Sequence, residues 1–322
     1  MKATSARRAG LWLVPWCALV SCHGDPPAPR RAPTARQEAA ALLEQARRDV
    51  EQAQPESKPS SPTLQLPDNP PGPLPLIVFL HGLGGSGEEL SLGLHLKQFS
   101  DQLGFAFLAP DGMLDHSGRR FWNAGPSCCN FEHLPVDHLE LLRGWIQEAL
   151  KNPRLDPERV YLVGYSNGGF LAHRAACELG SLLRGIFSIG GAGPNQPKAC
   201  HPDRAPSIVE IHGDDDAIVS FKGGYLFADR SRPPHPSAEA TVRAWSKLEG
   251  CAQPAAVTRN LDLDPRIPGA ETEVWSFPGC RASSVELWRI RGGNHGSGLS
   301  RLSVLAIWES IQAQQRAQAE RP

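Results

Sequence analysis

From Leu76 onward, short apolar runs alternate with stretches that carry apolar residues at helical spacing. Leu76–Leu80 (LIVFL), Phe105–Leu108, Val160–Val163, Gly185–Ile189, Ile208–Ile211 and Val285–Ile290 are of strand length and nearly free of polar residues. Val136–Leu150, Phe170–Leu179, Ala238–Leu248 and Leu302–Gln312 repeat with a helical period. Strands without polar alternation are buried on both faces. Interleaved with helices, they predict a mostly parallel sheet covered on both sides, the α/β class. In such sheets chemistry collects at the carboxyl ends of the strands.

The first part of the chain has a different texture. Lys2, Arg7 and Arg8 precede the apolar stretch Gly10–Val20, which is too short to span a bilayer and suits the core of a signal peptide. Leu19-Val20-Ser21-Cys22 then resembles a bacterial lipobox, which makes Cys22 the expected lipidation site. Residues 1–22 are therefore expected to be a signal segment, with a lipid anchor to a membrane on the exported side and plain secretion as the alternative. Residues 23–75 are poor in apolar groups and rich in Pro, Ser, Ala and Gln, so they read as a tether. Within the tether, Arg36–Gln54 is rich in helix formers, but its alanine-dominated apolar positions do not specify a coiled-coil partner. Residues 76–315 are left as the folded domain.

The 322-residue chain carries a formal net charge of −1, and no basic tract follows its first residues, so a nucleic-acid partner is not expected. Of eight cysteines, Cys17 would leave with the signal and Cys22 would carry lipid; the other six have no C-x-x-C spacing. That pattern in an exported chain predicts disulfides rather than a metal site. Cys251 with Cys280 is the favoured pair, because both lie in loop-like sequence late in the chain. The adjacent Cys128 and Cys129 are expected to have separate partners.

Four strand ends carry the candidate chemistry. Gly164-Tyr165-Ser166-Asn167-Gly168 fits G-x-S-x-G with a strand before it and a helix after it, the context in which a sharp turn presents a serine nucleophile. Ser166 needs a base and an acid that orients the base, in the chain order Ser, Asp or Glu, His. Ile208–Ile211 leads into His212-Gly213-Asp214-Asp215-Asp216, and Val285–Ile290 leads into Gly292-Gly293-Asn294-His295. His295 is the expected base. Asp216 sits deepest in the acidic run, just before the apolar Ile218-Val219, whereas Asp214 and Asp215 read as turn or solvated residues. His212 precedes the acid, so a packing role suits it better than that of base. His81-Gly82-Leu83-Gly84-Gly85-Ser86-Gly87 follows the first strand, and its glycines leave backbone N–H groups open to a developing oxyanion. Leu83 and Asn167 are the expected donors. A phosphate loop is not indicated, because the Gly-Lys-Ser/Thr ending is missing.

In this order and spacing, HGLGGSG, the Ala109–Gly112 APDG turn, FWNAGPSCC at Phe121–Cys129, VYLVGYSNGG, HGDDDAIV and GGNHGSG resemble the polyhydroxybutyrate depolymerase and feruloyl esterase family of α/β-hydrolases. The likeness runs from about Leu76 to Trp308. It implies an α/β-hydrolase fold, Asp216 as the acid of H-G-x-x-D-x-x-V, no cofactor, and a small-molecule, polysaccharide or polyester ester as substrate. Trp122 and Tyr165 are candidates to border the cleft, with buried core packing an equal account of Trp122. Three departures qualify the resemblance. Asp137-His138 stands where family members usually carry two acids, Gly296–Leu299 replaces a Thr-Trp-Pro-Gly cleft segment, and appended polymer-binding modules have no counterpart. The expected activity is that of a serine carboxylesterase releasing feruloyl, acetyl or short hydroxyalkanoyl groups. The alternatives are a serine peptidase on the same scaffold and a non-catalytic binding lipoprotein.

Overall fold

The computed structural model describes residues 61–68, 72–193, 200–204, 206–253, 255–281 and 283–319, together with Glu44 and Pro59. The chain divides into residues 1–54 and 55–322. In the first unit only Glu44, exposed and helical, is described, so the lipobox around Cys22 and nearly all of the 36–54 segment lie outside the described residues.

The second unit is built on an eight-stranded sheet. Its strands are β1 (Leu74–Leu80), β2 (Ala106–Leu108), β5 (Leu155–Tyr165), β6 (Gly185–Ile189), β7 (Ser207–Gly213), β8 (Ala256–Leu261), β9 (Thr272–Phe277) and β10 (Val285–Ile290). Their order is β2-β1-β5-β6-β7-β10-β9-β8, parallel from β2 through β10 and antiparallel at β9 and β8. A separate two-stranded ribbon pairs β3 (Met113–Leu114) with β4 (Arg120–Phe121). Among the described residues of this unit, six α-helices are present: α1 (Gly87–Leu94), α2 (Leu96–Leu103), α3 (His138–Ala149), α4 (Asn167–Glu178), α5 (Ala238–Leu248) and α6 (Arg301–Ala319). Among the described residues no helix is long and apolar enough to cross a membrane.

The period of two along each strand sorts side chains onto two faces, and each face has its own core. Leu76, Val78, Val160, Leu162, Ile186 and Ile208 meet α3, α4 and α5 on one side. Ile77, Phe79, Tyr161, Val163, Phe187 and Val209 meet α1, α2 and α6 on the other. Both faces are apolar because both are covered, which is why the strands read as unbroken hydrophobic runs.

The antiparallel edge was not expected from the sequence. β8 is exposed along most of its length, and β9 mixes polar with apolar positions, so neither carries the signature of a buried strand. The cysteine pairing also differs in one respect. Cys251 joins Cys280 as expected, and Cys177 joins Cys200, but Cys128 and Cys129 are bonded to each other rather than to separate partners. Both sulfurs of that pair sit in a small apolar cluster with Phe170, Ala192, Val219 and Leu226, where no third cysteine is present.

Candidate active site

Ser166 lies between the last residue of β5 and the first of α4, with φ 53° and ψ −115°. This is a backbone conformation that a non-glycine residue rarely adopts, and such strain persists only where the surroundings enforce it. Here the cause is close approach. A Cβ on Gly164 would fall onto the Gly168 carbonyl, and a Cβ on Gly168 would fall onto the Leu80 carbonyl. Strand β5, helix α4 and strand β1 thus touch backbone to backbone around the serine. The Ser166 N–H donates to Ile189 O (2.7 Å), and its carbonyl accepts from Phe170 N–H (3.0 Å).

The other two sequence candidates arrive from the ends of β7 and β10. His295 Nε2 lies 2.9 Å from Ser166 Oγ, and its Nδ1 lies 2.7 Å from Asp216 Oδ2. A carboxylate only accepts, so Nδ1 carries the proton and Nε2 presents its lone pair to the serine. Of the three adjacent aspartates, only Asp216 reaches this histidine. Asp214 is gripped by Arg289 Nε and Nη2 (3.0 and 2.7 Å) and accepts from Gly292 N–H, tying the end of β7 to the loop after β10. Asp215 is exposed.

Asp216 is buried, and its Oδ1 accepts the N–H groups of Ile218 (2.8 Å) and Val219 (2.9 Å). Burial alone would raise its pKa; hydrogen bonds from His212 and His295 outweigh that and hold the carboxyl well below the usual range. His212 is fully enclosed. Its Nδ1 faces Glu210 Oε1 (2.9 Å), and its Nε2 faces Val219 O (2.7 Å) and Asp216 Oδ2 (3.4 Å). Glu210 and His212 occupy alternate positions on one face of β7.

The loop that follows β1 is pinned from three sides. His81 Nε2 accepts from Gly112 N–H (2.9 Å), and its Nδ1–H donates to Gly82 O (2.7 Å). Burial pushes its pKa down and keeps the ring neutral. Gly84 N–H donates to Arg120 O (2.8 Å). Trp122 donates its indole N–H to His81 O (2.9 Å) and is wholly buried, so it braces the loop: of the two places open to it, the packed one holds and the cleft one does not. Tyr165 is half-buried, with its ring 5.3 Å from that of His295, and borders the triad. Among the described residues, the N–H groups of Leu83 and Asn167 have no acceptor. The Asn167 side chain is locked elsewhere. Its Oδ1 accepts from Trp122 N–H (2.7 Å), and its Nδ2 donates to Trp122 O (2.9 Å) and points at Cys128 Sγ (3.4 Å).

Where the resemblance leads one to expect a second acid, His138 is buried at the start of α3, behind the N-cap Asp137. The backbone N–H groups of Asn123 (2.8 Å) and Met113 (3.3 Å) face its two ring nitrogens. A neutral ring leaves one nitrogen free to accept, whereas a doubly protonated ring would set donor against donor at both. Burial, helped by the Arg174 charge, pushes its pKa down to about 3. The second acid has thus given way to a neutral brace for the Met113–Asn123 segment. The sequence reading also missed Glu210. The signal was present as a carboxyl and an imidazole, two residues apart, inside an otherwise apolar strand.

A hydroxyl, an imidazole and a carboxylate in such a chain can move a proton from oxygen to Nε2 while the oxygen attacks an electrophile. No group of His, Cys, Asp and Glu among the described residues has the arrangement of a metal site. A model of the phospholipase/carboxylesterase family matches residues 130–233, which include the serine and the aspartate. The protein named esterase NocK, from Nocardia uniformis subsp. tsuyamanensis, is 29% identical over 90% of this chain and 89% of its own length. The chain is an α/β-hydrolase of the carboxylesterase type. Feruloyl esterase B of Piromyces equi is 26% identical over 70% of this hydrolase, which spans 40% of that longer protein. Among solved structures, acetyl xylan esterase from Aspergillus awamori superposes with a TM-score of 0.56 at 14% identity. It covers 77% of this hydrolase and 93% of its own chain, and at that identity supports the fold alone.

Proposed function

We propose that this esterase works through a covalent acyl-enzyme formed on Ser166. The observation that carries the reading is the continuous chain from Ser166 Oγ to His295 (2.9 Å) to Asp216 (2.7 Å), at a serine held in a strained turn. As Oγ bonds to the ester carbonyl carbon, its proton passes to His295 Nε2. Asp216 keeps the opposite ring nitrogen protonated and stabilises the imidazolium that forms. The carbonyl oxygen takes up negative charge and accepts from the Leu83 and Asn167 N–H groups, each worth about 3 kcal/mol. Collapse of the tetrahedral centre breaks the bond to the alcohol, which leaves with the proton from His295. Water then repeats the sequence on the acyl-serine and releases the acid.

The acyl group is proposed to be feruloyl, acetyl or a short hydroxyalkanoyl. Relatives named as a feruloyl esterase and a poly(3-hydroxybutyrate) depolymerase support that range. Three disulfides fit an oxidising compartment, in keeping with export, and Cys22 is the proposed lipid-anchoring residue. The test is a panel of p-nitrophenyl acetate and butyrate, methyl ferulate, acetylated xylan and a hydroxybutyrate oligomer, with Ser166→Ala alongside. Hydrolysis that disappears in the variant supports the reading and names the acyl class. Equal rates for the two proteins overturn it. Metabolic labelling with palmitate, compared in Cys22→Ala, tests the anchor.

A further inference from the structure

Behind Asp216 lies a line of buried polar groups that the proposed reaction does not use. Trp245 on α5 donates its indole N–H to His173 Nδ1 (3.1 Å). An indole nitrogen only donates, so Nδ1 is an acceptor and the proton of His173 sits on Nε2, 2.8 Å from Glu210 Oε2. The other oxygen of Glu210 faces His212 Nδ1 (2.9 Å). Beyond the ring, His212 Nε2 meets two acceptors and no donor, Val219 O at 2.7 Å and Asp216 Oδ2 at 3.4 Å. Both nitrogens of His212 therefore face acceptors, and both must donate.

We propose that His212 stays an imidazolium throughout turnover, held charged by Glu210, and that it acts as a positioning residue that shares the negative charge of Asp216 with the catalytic histidine. The inference rests on the triad reading above, because it assigns a role to a group that acts through Asp216. His212 moves no proton during turnover; its contribution is a fixed charge on the far side of the acid. It lowers the electrostatic pull of Asp216 on the His295 imidazolium and, with the Ile218 and Val219 N–H groups, keeps the carboxylate turned toward His295.

The surroundings leave His212 no other ionic partner. On its own strand it faces Glu210, and in the following loop Asp216 and the Val219 carbonyl. Phe221 packs edge-on against the ring at 5.8 Å. From α4 and α5, His173 and Trp245 reach it only through Glu210. On β10, Arg289 lies in register with it, but its guanidinium is taken by Asp214. His235 and His295 are the remaining titratable neighbours; burial, and to a lesser extent the charge on His212, lowers the pKa of His235. Burial opposes a charge on His212, yet the hydrogen bonds that its ring donates to the Asp216 and Glu210 carboxylates raise its pKa to about 10.

Glu210→Gln separates charge from shape. The amide oxygen still accepts from His173, and the amide nitrogen donates to a His212 Nδ1 that has lost its proton, so every hydrogen bond survives and only the ionic state changes. The expected result is that the acid limb of the kcat/KM profile for p-nitrophenyl butyrate moves upward by about one pH unit, as His295 becomes more basic beside an unshared carboxylate. His212→Gln should move the limb in the same direction. A purely structural role would lower the plateau or the melting temperature and leave the limb in place. A native melting temperature with an unmoved limb overturns the proposal, as it would if Glu210 already carried the proton. Should both variants fail to fold, the wild-type protein decides by 15N-histidine NMR. One ring doubly protonated at pH 8.5 is expected, and eleven neutral rings would overturn it. Ser166→Ala runs beside each profile. If it stays active, the triad reading fails; if it is inactive and the limb is unmoved, this inference alone fails.

Discussion

The two halves of the site are positioned by different physics. On the nucleophile side, at the ends of β1 and β5, the determinants are steric and uncharged. Gly164 and Gly168 let backbones touch, Trp122 and a neutral His81 brace the loop, and a neutral His138 holds the segment behind it. On the acid–base side, at the ends of β7 and β10, the determinants are ionic. Arg289 clamps Asp214, and Glu210, His212 and Asp216 form one buried row that ends on His295. The contrast follows from what each side must do. A nucleophile needs an exact place and an open approach, which excluded volume supplies. A base needs an orienting carboxylate that stays ionised while buried, which only hydrogen bonds and opposite charge can supply.

The contrast can be broken from either side. The largest effect is expected from Ser166→Ala, which should reduce kcat on p-nitrophenyl butyrate about 10⁴-fold or more while leaving the melting temperature near that of the wild type. Gly168→Ala attacks the steric side through packing, because the new methyl collides with the Leu80 carbonyl. A loss of about 3 kcal/mol or more in urea unfolding is expected. Replacing Cys251 and Cys280 together by serine opens a cross-link between residues 29 apart in sequence, outside both halves. It should cost about 2–3 kcal/mol of stability and leave kcat of the folded enzyme unchanged.

Per pH unit, the smallest effect separates the two buried histidines. His138 has a depressed folded-state pKa of about 3, so its contribution to stability is complete above its ordinary value of 6.5 and is lost as pH falls toward 3. Across that window it should make stability fall by about 1 kcal/mol per pH unit, and His138→Gln should remove this component from the pH dependence of urea unfolding. His212 carries the opposite linkage. Its folded-state pKa is raised to about 10, so its contribution is complete below 6.5 and is lost as pH rises toward 10. Stability in His212→Gln should therefore lose dependence on the alkaline side, where His138→Gln leaves it intact.

The parts of this molecule that are buried on both faces were legible in its sequence. Gly185–Ile189, Ala238–Leu248 and Val285–Ile290 coincide with β6, α5 and β10, because covered strands and amphipathic helices leave unambiguous patterns. Other boundaries moved. β5 begins at Leu155 rather than Val160, since its polar first half is extended by pairing with β1 at Leu74, a constraint no local pattern carries. β8 and β9 were invisible for the complementary reason: an edge that faces water has no need of an apolar run. At the site, chain order and strand-end position indicated Ser166, Asp216 and His295. They could not indicate that Cys128 bonds to its own neighbour, or that Trp122 turns inward to hold His81, because both depend on what packs around the Phe121–Cys129 segment. Glu210 and His212 lay between these cases. The pattern marked them as out of place in a buried strand, and only three-dimensional contact gave them a partner.

The central claim, that Ser166 is the residue acylated by substrate, is tested most directly by intact-protein and peptide mass spectrometry after treatment with a fluorophosphonate. The account predicts one adduct per chain, located on Ser166, forming far more slowly in His295→Ala and blocked by prior incubation with an ester substrate. An adduct on another residue, or none from a protein that still hydrolyses esters, would contradict it.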